Sequence, residues 1–132
     1  MQNIKKRVYI AGPYSSGDIL KILDNIRKGI RAGVEVLLMG YAPFCPWLDH
    51  QFQFFLQGDE KLTVEHYREF SIAWLEVSDY MIVLDGWETS KGTIAEIAIA
   101  KANKIPTFYG VESFKEFFKA ITNYTEQAME ER

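Results

Sequence analysis

An α/β domain, doubly wound in the Rossmann or flavodoxin-like manner, is the fold this 132-residue sequence predicts. It should carry a parallel sheet of about four to five strands with helices on both faces. Three observations lead there. Short β-prone or apolar runs alternate along the chain with stretches of helical spacing. The run Tyr80-Met81-Ile82-Val83-Leu84 is apolar without alternation, the mark of a strand buried on both faces. Loops rich in glycine and serine follow the first and third of these runs.

Val8-Tyr9-Ile10-Ala11, stopped by Gly12-Pro13, reads as the first strand. From Asp18 the chain turns helical. Leu20, Leu23, Ile26, Ile30, Val34 and Leu37 recur at helical spacing to about Met39, and Gly40 ends the helix. Tyr41-Ala42-Pro43-Phe44 is a short second strand. Residues 45–61 carry Trp47, Phe52, Phe54 and Phe55 among polar neighbours with little periodicity, an ordered loop of functional character. A helix is expected over residues 63–77, with Tyr67, Phe70, Trp74 and Leu75 on its core side. The central strand follows at residues 80–84, a loop at 85–92, a helix at 93–103 and a strand at 105–109. Ser113 is expected to cap the last helix, which packs Phe114, Phe117, Phe118 and Ile121, ahead of a frayed polar tail at about 125–132. Residues 1–132 form one domain on this reading.

The formal net charge is -3 and no basic cluster stands out, which argues against general nucleic-acid binding. The one cysteine, Cys45, allows no disulfide within the chain and reads as a buried apolar filler. No apolar run is long enough for a membrane span and no signal-peptide pattern is present, so a cytoplasmic location is expected.

In open parallel sheets, ligands bind outside the carboxyl ends of the strands where strand order reverses. The loops Gly12-Pro13-Tyr14-Ser15-Ser16-Gly17-Asp18 and Asp85-Gly86-Trp87-Glu88-Thr89-Ser90-Lys91-Gly92 both emerge there. Their Gly and Ser content suits backbone N–H groups facing an anion, or simply tight turns. Neither matches a dinucleotide or Walker fingerprint. Glu96 is expected in the first turn of the following helix. The spacing from Thr93 is that of a capping box, and the helix dipole would keep the carboxylate ionised.

Three groups of residues together resemble the nucleoside 2-deoxyribosyltransferase superfamily, closest to its short DUF4406-like members. They are Tyr9-Ile10-Ala11-Gly12-Pro13-Tyr14; Trp74-Leu75 with Ser78-Asp79; and Ser90-Lys91-Gly92 with Glu96, Ala98, Ala100 and Lys104-Ile105-Pro106. The resemblance spans about residues 7–109. It implies that Glu96 attacks the anomeric carbon of a nucleoside or nucleotide and displaces the base. Water or a second base would then complete the reaction, as in retaining glycosidases. It also implies that Gly12, Pro13, Ser15 and Ser16 line the sugar or phosphate side and that Tyr14 orients Glu96 or the sugar. Ser90, Gly92 and Lys91 would meet a 5′-phosphate, and the aromatics around Trp47 would stack on the base, contributed by a neighbouring subunit of a homodimer or higher homo-oligomer. No metal or organic cofactor is required.

The sequence departs from that pattern at Ser71 and Ser90, where the transferases carry aspartates. Asp85, Asp49, His50 or His66 are the groups left to handle protons. His50 is read as a proton donor or a loop-packing side chain, Trp87 as a stacking residue or a subunit contact, and Lys91 as a phosphate ligand or a solvated lysine. Asp49, His50 and His66 are too few and too scattered for a metal site. Two functions follow. The first is N-glycosidic cleavage or transfer through Glu96, with hydrolysis favoured. The second is a non-catalytic nucleotide or nucleotide-signal binding protein on the same fold.

Overall fold

The computed structural model describes residues 5–131. It shows four parallel strands in the order β2-β1-β3-β4, with α-helices on both faces. The strands are β1 (Arg7–Ala11), β2 (Ala42–Phe44), β3 (Tyr80–Val83) and β4 (Thr107–Tyr109); the helices are α1 (Ile19–Leu38), α2 (Val64–Glu76), α3 (Lys91–Ala102) and α4 (Val111–Glu130). From β1 the chain steps outward to β2, then crosses back to β3 on the other side. The order therefore reverses between β1 and β3.

β1 sits in the middle and is sealed on both faces, Val8 to Ile10 being fully buried. Its alternation divides the core. Val8 and Ile10 pack with Ala32 and Val36 of α1 and Phe114 of α4. Tyr9 and Ala11 face the opposite side, with Leu75 of α2 and Ile97 and Ala100 of α3. A strand with both faces covered cannot alternate polar and apolar, which is why β1 and β3 read as continuous apolar runs. Asp79 ties the sheet at its entry, accepting from Arg7 N–H at 2.8 Å and donating its own N–H to the Arg7 carbonyl at 2.9 Å.

Local capping sets the helix ends. Asp18 caps α1 through Leu20 N–H. Its far end closes in a Schellman arrangement, with Gly40 at φ 93° donating to Leu37 and Tyr41 donating to Val36. Thr63 and His66 form a reciprocal capping box on α2.

Four local expectations are corrected. Residues Pro46–Phe55 form consecutive 3₁₀ turns rather than a loop. α4 starts at Val111 behind Gly110, whose φ of 98° supplies the turn, so Ser113 lies inside the helix rather than capping it. The polar tail is helical through Glu130, with Arg132 outside the described residues. The last strand is Thr107–Tyr109, two residues shorter than expected at its start. Among the described residues no helix is long and apolar enough to cross a membrane.

Candidate active site

The carboxyl ends of β1 and β3 open at the reversal of strand order, and the loops leaving them frame two adjoining clefts. The first, about 340 Å³, lies between the loop after β1, the start of the 3₁₀ segment, α2 and α3. Gly12, Tyr14, Ser15, Trp47, Asp49, Ser71, Gly92 and Glu96 border it, which brings together eight candidates named from the sequence. The second, about 660 Å³ and more polar, is bordered by Pro13, Ser16, Asp85, Ser90 and Lys91, and shares Ser15 and Gly92 with the first. His50 borders a smaller recess of about 280 Å³ beside the first cleft. Trp87 borders none of these three; it packs beside the core and tilts against Tyr109 with ring centroids 5.4 Å apart. Asp85 therefore stands across the loops from Glu96, in the neighbouring cleft.

Glu96 comes from the second turn of α3, not the first. The cap is Ser90, whose Oγ accepts from Thr93 N–H at 3.3 Å. The helix begins at Lys91. The Thr93 capping box does not form, and Thr93 instead exchanges a hydroxyl hydrogen bond with Ser90 at 2.8 Å. The dipole is strongest within the first turn, so Glu96 loses that support. Burial outweighs it and pushes the Glu96 carboxyl up to about 7. The carboxylate expected to be fully ionised is thus poised near neutrality.

One side chain opposes that shift. The Tyr9 hydroxyl donates to Glu96 Oε2 across 87 residues of sequence. Tyr9 is fully buried, and burial followed by the Glu96 charge holds its hydroxyl far above the usual tyrosine range, so it remains a donor. Its ring is fixed by a column of aromatics: Tyr9 stacks on Phe44 at 5.4 Å and Phe44 on Trp74 at 5.7 Å. The sequence gives one usable signal, a tyrosine in an otherwise aliphatic buried strand, whose hydroxyl must find a partner. Ser71, one helix away, faces the same hydroxyl.

Tyr14, expected to orient Glu96 or the sugar, donates instead to Asp49 Oδ1 at 2.9 Å. Trp47 is a core residue whose indole edge reaches the cleft; only 1% of it is exposed. Its Nε1–H donates to the Pro13 carbonyl at 2.9 Å. Gly29 of α1 makes its seat, because a Cβ there would lie 2.1 Å from the indole. Gly12 is a second close approach, with a Cβ position 3.1 Å from Leu84 and 3.2 Å from Trp47. Residues 13 and 14 are therefore clamped to residues 47 and 49 by two hydrogen bonds.

The other proton-carrying candidates are engaged elsewhere. His66 accepts from Thr63 N–H in the α2 cap, and His50 turns Nδ1 to the Trp47 carbonyl. Arg68 of α2 borders the first cleft one turn before Ser71, a cation that no motif in the sequence singles out. Cys45 is packed against Gly33, and burial pushes its thiol up to about 11. Among the described residues no three His, Cys, Asp or Glu side chains come together as a metal site.

No curated protein matches this chain. Residues 6–110, from β1 through β4 and including both cleft-forming loops, match the model of a family described as a domain of unknown function, DUF7768. With most of its length matched, the chain belongs to the DUF7768 family.

Proposed function

We propose that this protein cleaves, or transfers at, the N-glycosidic bond of a nucleoside or nucleotide, with Glu96 as nucleophile and hydrolysis favoured over base exchange. The observation that carries this reading is a desolvated carboxylate, held by one tyrosine hydroxyl, bordering a cleft at the reversal point of a parallel sheet. A cleft of about 340 Å³ falls within the usual range for small-molecule sites. The resemblance to nucleoside 2-deoxyribosyltransferases supplies the reaction class.

The electrostatics suit the chemistry. A buried anion with one donor is costly, and that cost falls as positive charge builds on the sugar in an oxocarbenium-like transition state. Tyr9 fixes one carboxylate oxygen and leaves the other free to attack the anomeric carbon. Arg68 bordering the first cleft, and Lys21 and Lys91 bordering the second, favour an anionic substituent such as a 5′-phosphate. The protein on this reading is cytoplasmic and works as a homo-oligomer. Val64, which borders the first cleft, and Phe54 and Phe55 at the end of the 3₁₀ segment are 82%, 73% and 78% exposed; a second copy would cover them, which sedimentation analysis would detect.

The second reading, a nucleotide-binding protein without turnover, is favoured by Ser90. Its hydroxyl is spent on the α3 cap, so it cannot stand in for the aspartate it replaces. One experiment separates the two. Purified protein and Glu96→Ala are incubated with nucleosides and 5′-nucleotides, and free base is followed by chromatography. Base released only by the unmodified protein supports glycosidic chemistry. No release, with a nucleotide raising the melting temperature, supports the binding protein.

A further inference from the structure

We infer that Asp49 is the acid that protonates the departing base, a role that rests on the glycosidic reading of Glu96. Glycosidic cleavage through a carboxylate nucleophile needs a second group to carry the leaving-group proton. Ser71 and Ser90 supply no such acid. Asp49 and Glu96 are the two carboxylates bordering the first cleft, and they approach it from different elements, the 3₁₀ segment and α3. Asp85 borders the other cleft, His66 caps α2, and His50 is turned to the Trp47 carbonyl.

Asp49 is held as a catalytic acid needs to be. Trp47, two residues before it, is fixed in the core and bonded to the Pro13 carbonyl. Tyr14 donates to Oδ1, and the Tyr14 carbonyl accepts from Asn25 Nδ2 at 3.2 Å. Among the described residues Oδ2 has no hydrogen-bond partner. Burial raises the carboxyl, against the pull of the Tyr14 hydrogen bond and of His50. Tyr9 and Glu96 complete the charged and titratable surroundings across the cleft, with Tyr67 and Arg68 on the α2 side.

The proton balance closes. Glu96 carboxylate bonds to the anomeric carbon, the C–N bond breaks, and its electron pair goes to the base nitrogen, which takes the proton of Asp49. Asp49 carboxylate then accepts a proton from water as that water attacks the glycosyl ester. The ester C–O bond breaks, Glu96 leaves as carboxylate and Asp49 is protonated again. The active state holds one proton between the two carboxylates, so turnover is bell-shaped in pH.

The test compares Asp49→Asn with the unmodified protein on two leaving groups. One is the nucleoside or nucleotide whose base the panel shows to be released. The other is 4-nitrophenyl β-D-ribofuranoside, whose nitrophenolate departs without a proton. Asn keeps the acceptor for Tyr14, and an unchanged melting temperature certifies the fold. The expected result is a first step slower by ~10²–10⁴-fold on the nucleoside, a nitrophenolate burst within about threefold, and loss of the alkaline limb of the nucleoside profile. Azide, which needs no general base, should restore steady turnover of the nitrophenyl glycoside. Equal losses on both substrates, no loss on either, or an intact alkaline limb in Asp49→Asn would overturn the assignment. Base release that survives Glu96→Gln would instead sink the glycosidic reading itself.

Discussion

Replacing Glu96 with glutamine probes the electrostatics of the cleft floor while nearly preserving its shape. Burial raises this carboxyl in the folded chain from an ordinary 4.5 to about 7. Below about pH 4 the side chain is protonated folded and unfolded alike, and Gln is a close mimic of it. As pH rises from there, the unfolded chain ionises first, so stability drains away until the folded pKa is passed. Over that window the wild type should lose ~3 kcal/mol, at ~1.4 kcal/mol for each tenfold difference in proton affinity between the folded and unfolded chains. Glutamine has nothing to ionise and still accepts from Tyr9. For a chain of this size ~3 kcal/mol corresponds to a melting-temperature gap of roughly 10 °C. The gap between Glu96→Gln and wild type should therefore be near zero at about pH 4 and widen to that value by about pH 8.5. Scanning fluorimetry across a pH series reads it directly, and taking the difference cancels the titrating groups that do not sense Glu96. A gap that stays flat with pH, or one that shrinks as pH rises, would refute the argument that burial controls Glu96.

Tyr9→Phe removes the hydroxyl that opposes the shift of Glu96. The limb of the pH–rate profile set by Glu96 should move to higher pH, while stability falls by about 1 kcal/mol for the lost hydrogen bond; an unmoved profile would show that Tyr9 does not act on Glu96. Gly29→Ala should destabilise despite the ~1 kcal/mol that alanine gains in a helix. Its Cβ would lie 2.1 Å from the Trp47 ring, and overpacking of that kind costs ~1–3 kcal/mol or more. Urea unfolding followed by tryptophan fluorescence checks the sign.

Which parts of this molecule were legible in its sequence follows from the range of the forces involved. β3 was legible because a strand covered on both faces must be apolar throughout. The bounds of α1 were legible because the Asp18 cap and the Gly40 stop act within a few residues, but its apolar spacing pointed to the wrong face: Leu20, Leu23, Val34 and Leu37 are exposed, and the helix buries Gly29, Ala32, Gly33 and Val36. The same local rules misplaced the start of α3. Ser90 and Thr93 both offer a hydroxyl to a helix N-terminus, and the Ser90 cap won by completing a pair with Thr93 itself. That difference moved Glu96 from the first helical turn to the second.

By itself the sequence determined the alternation of elements, the parallel sheet and the two loops that frame the site, because propensity, capping and hydrophobic period are properties of neighbouring residues. The tertiary structure alone decided that Tyr9, and not Tyr14, holds Glu96, and that Tyr14 belongs to Asp49. It also seated Trp47 in the core beneath the cleft and put Asp85 outside it. The reason is physical. A carboxylate's proton affinity depends on what excludes water from it and what donates to it, and here the donor lies 87 residues away in the chain and on another element of the fold.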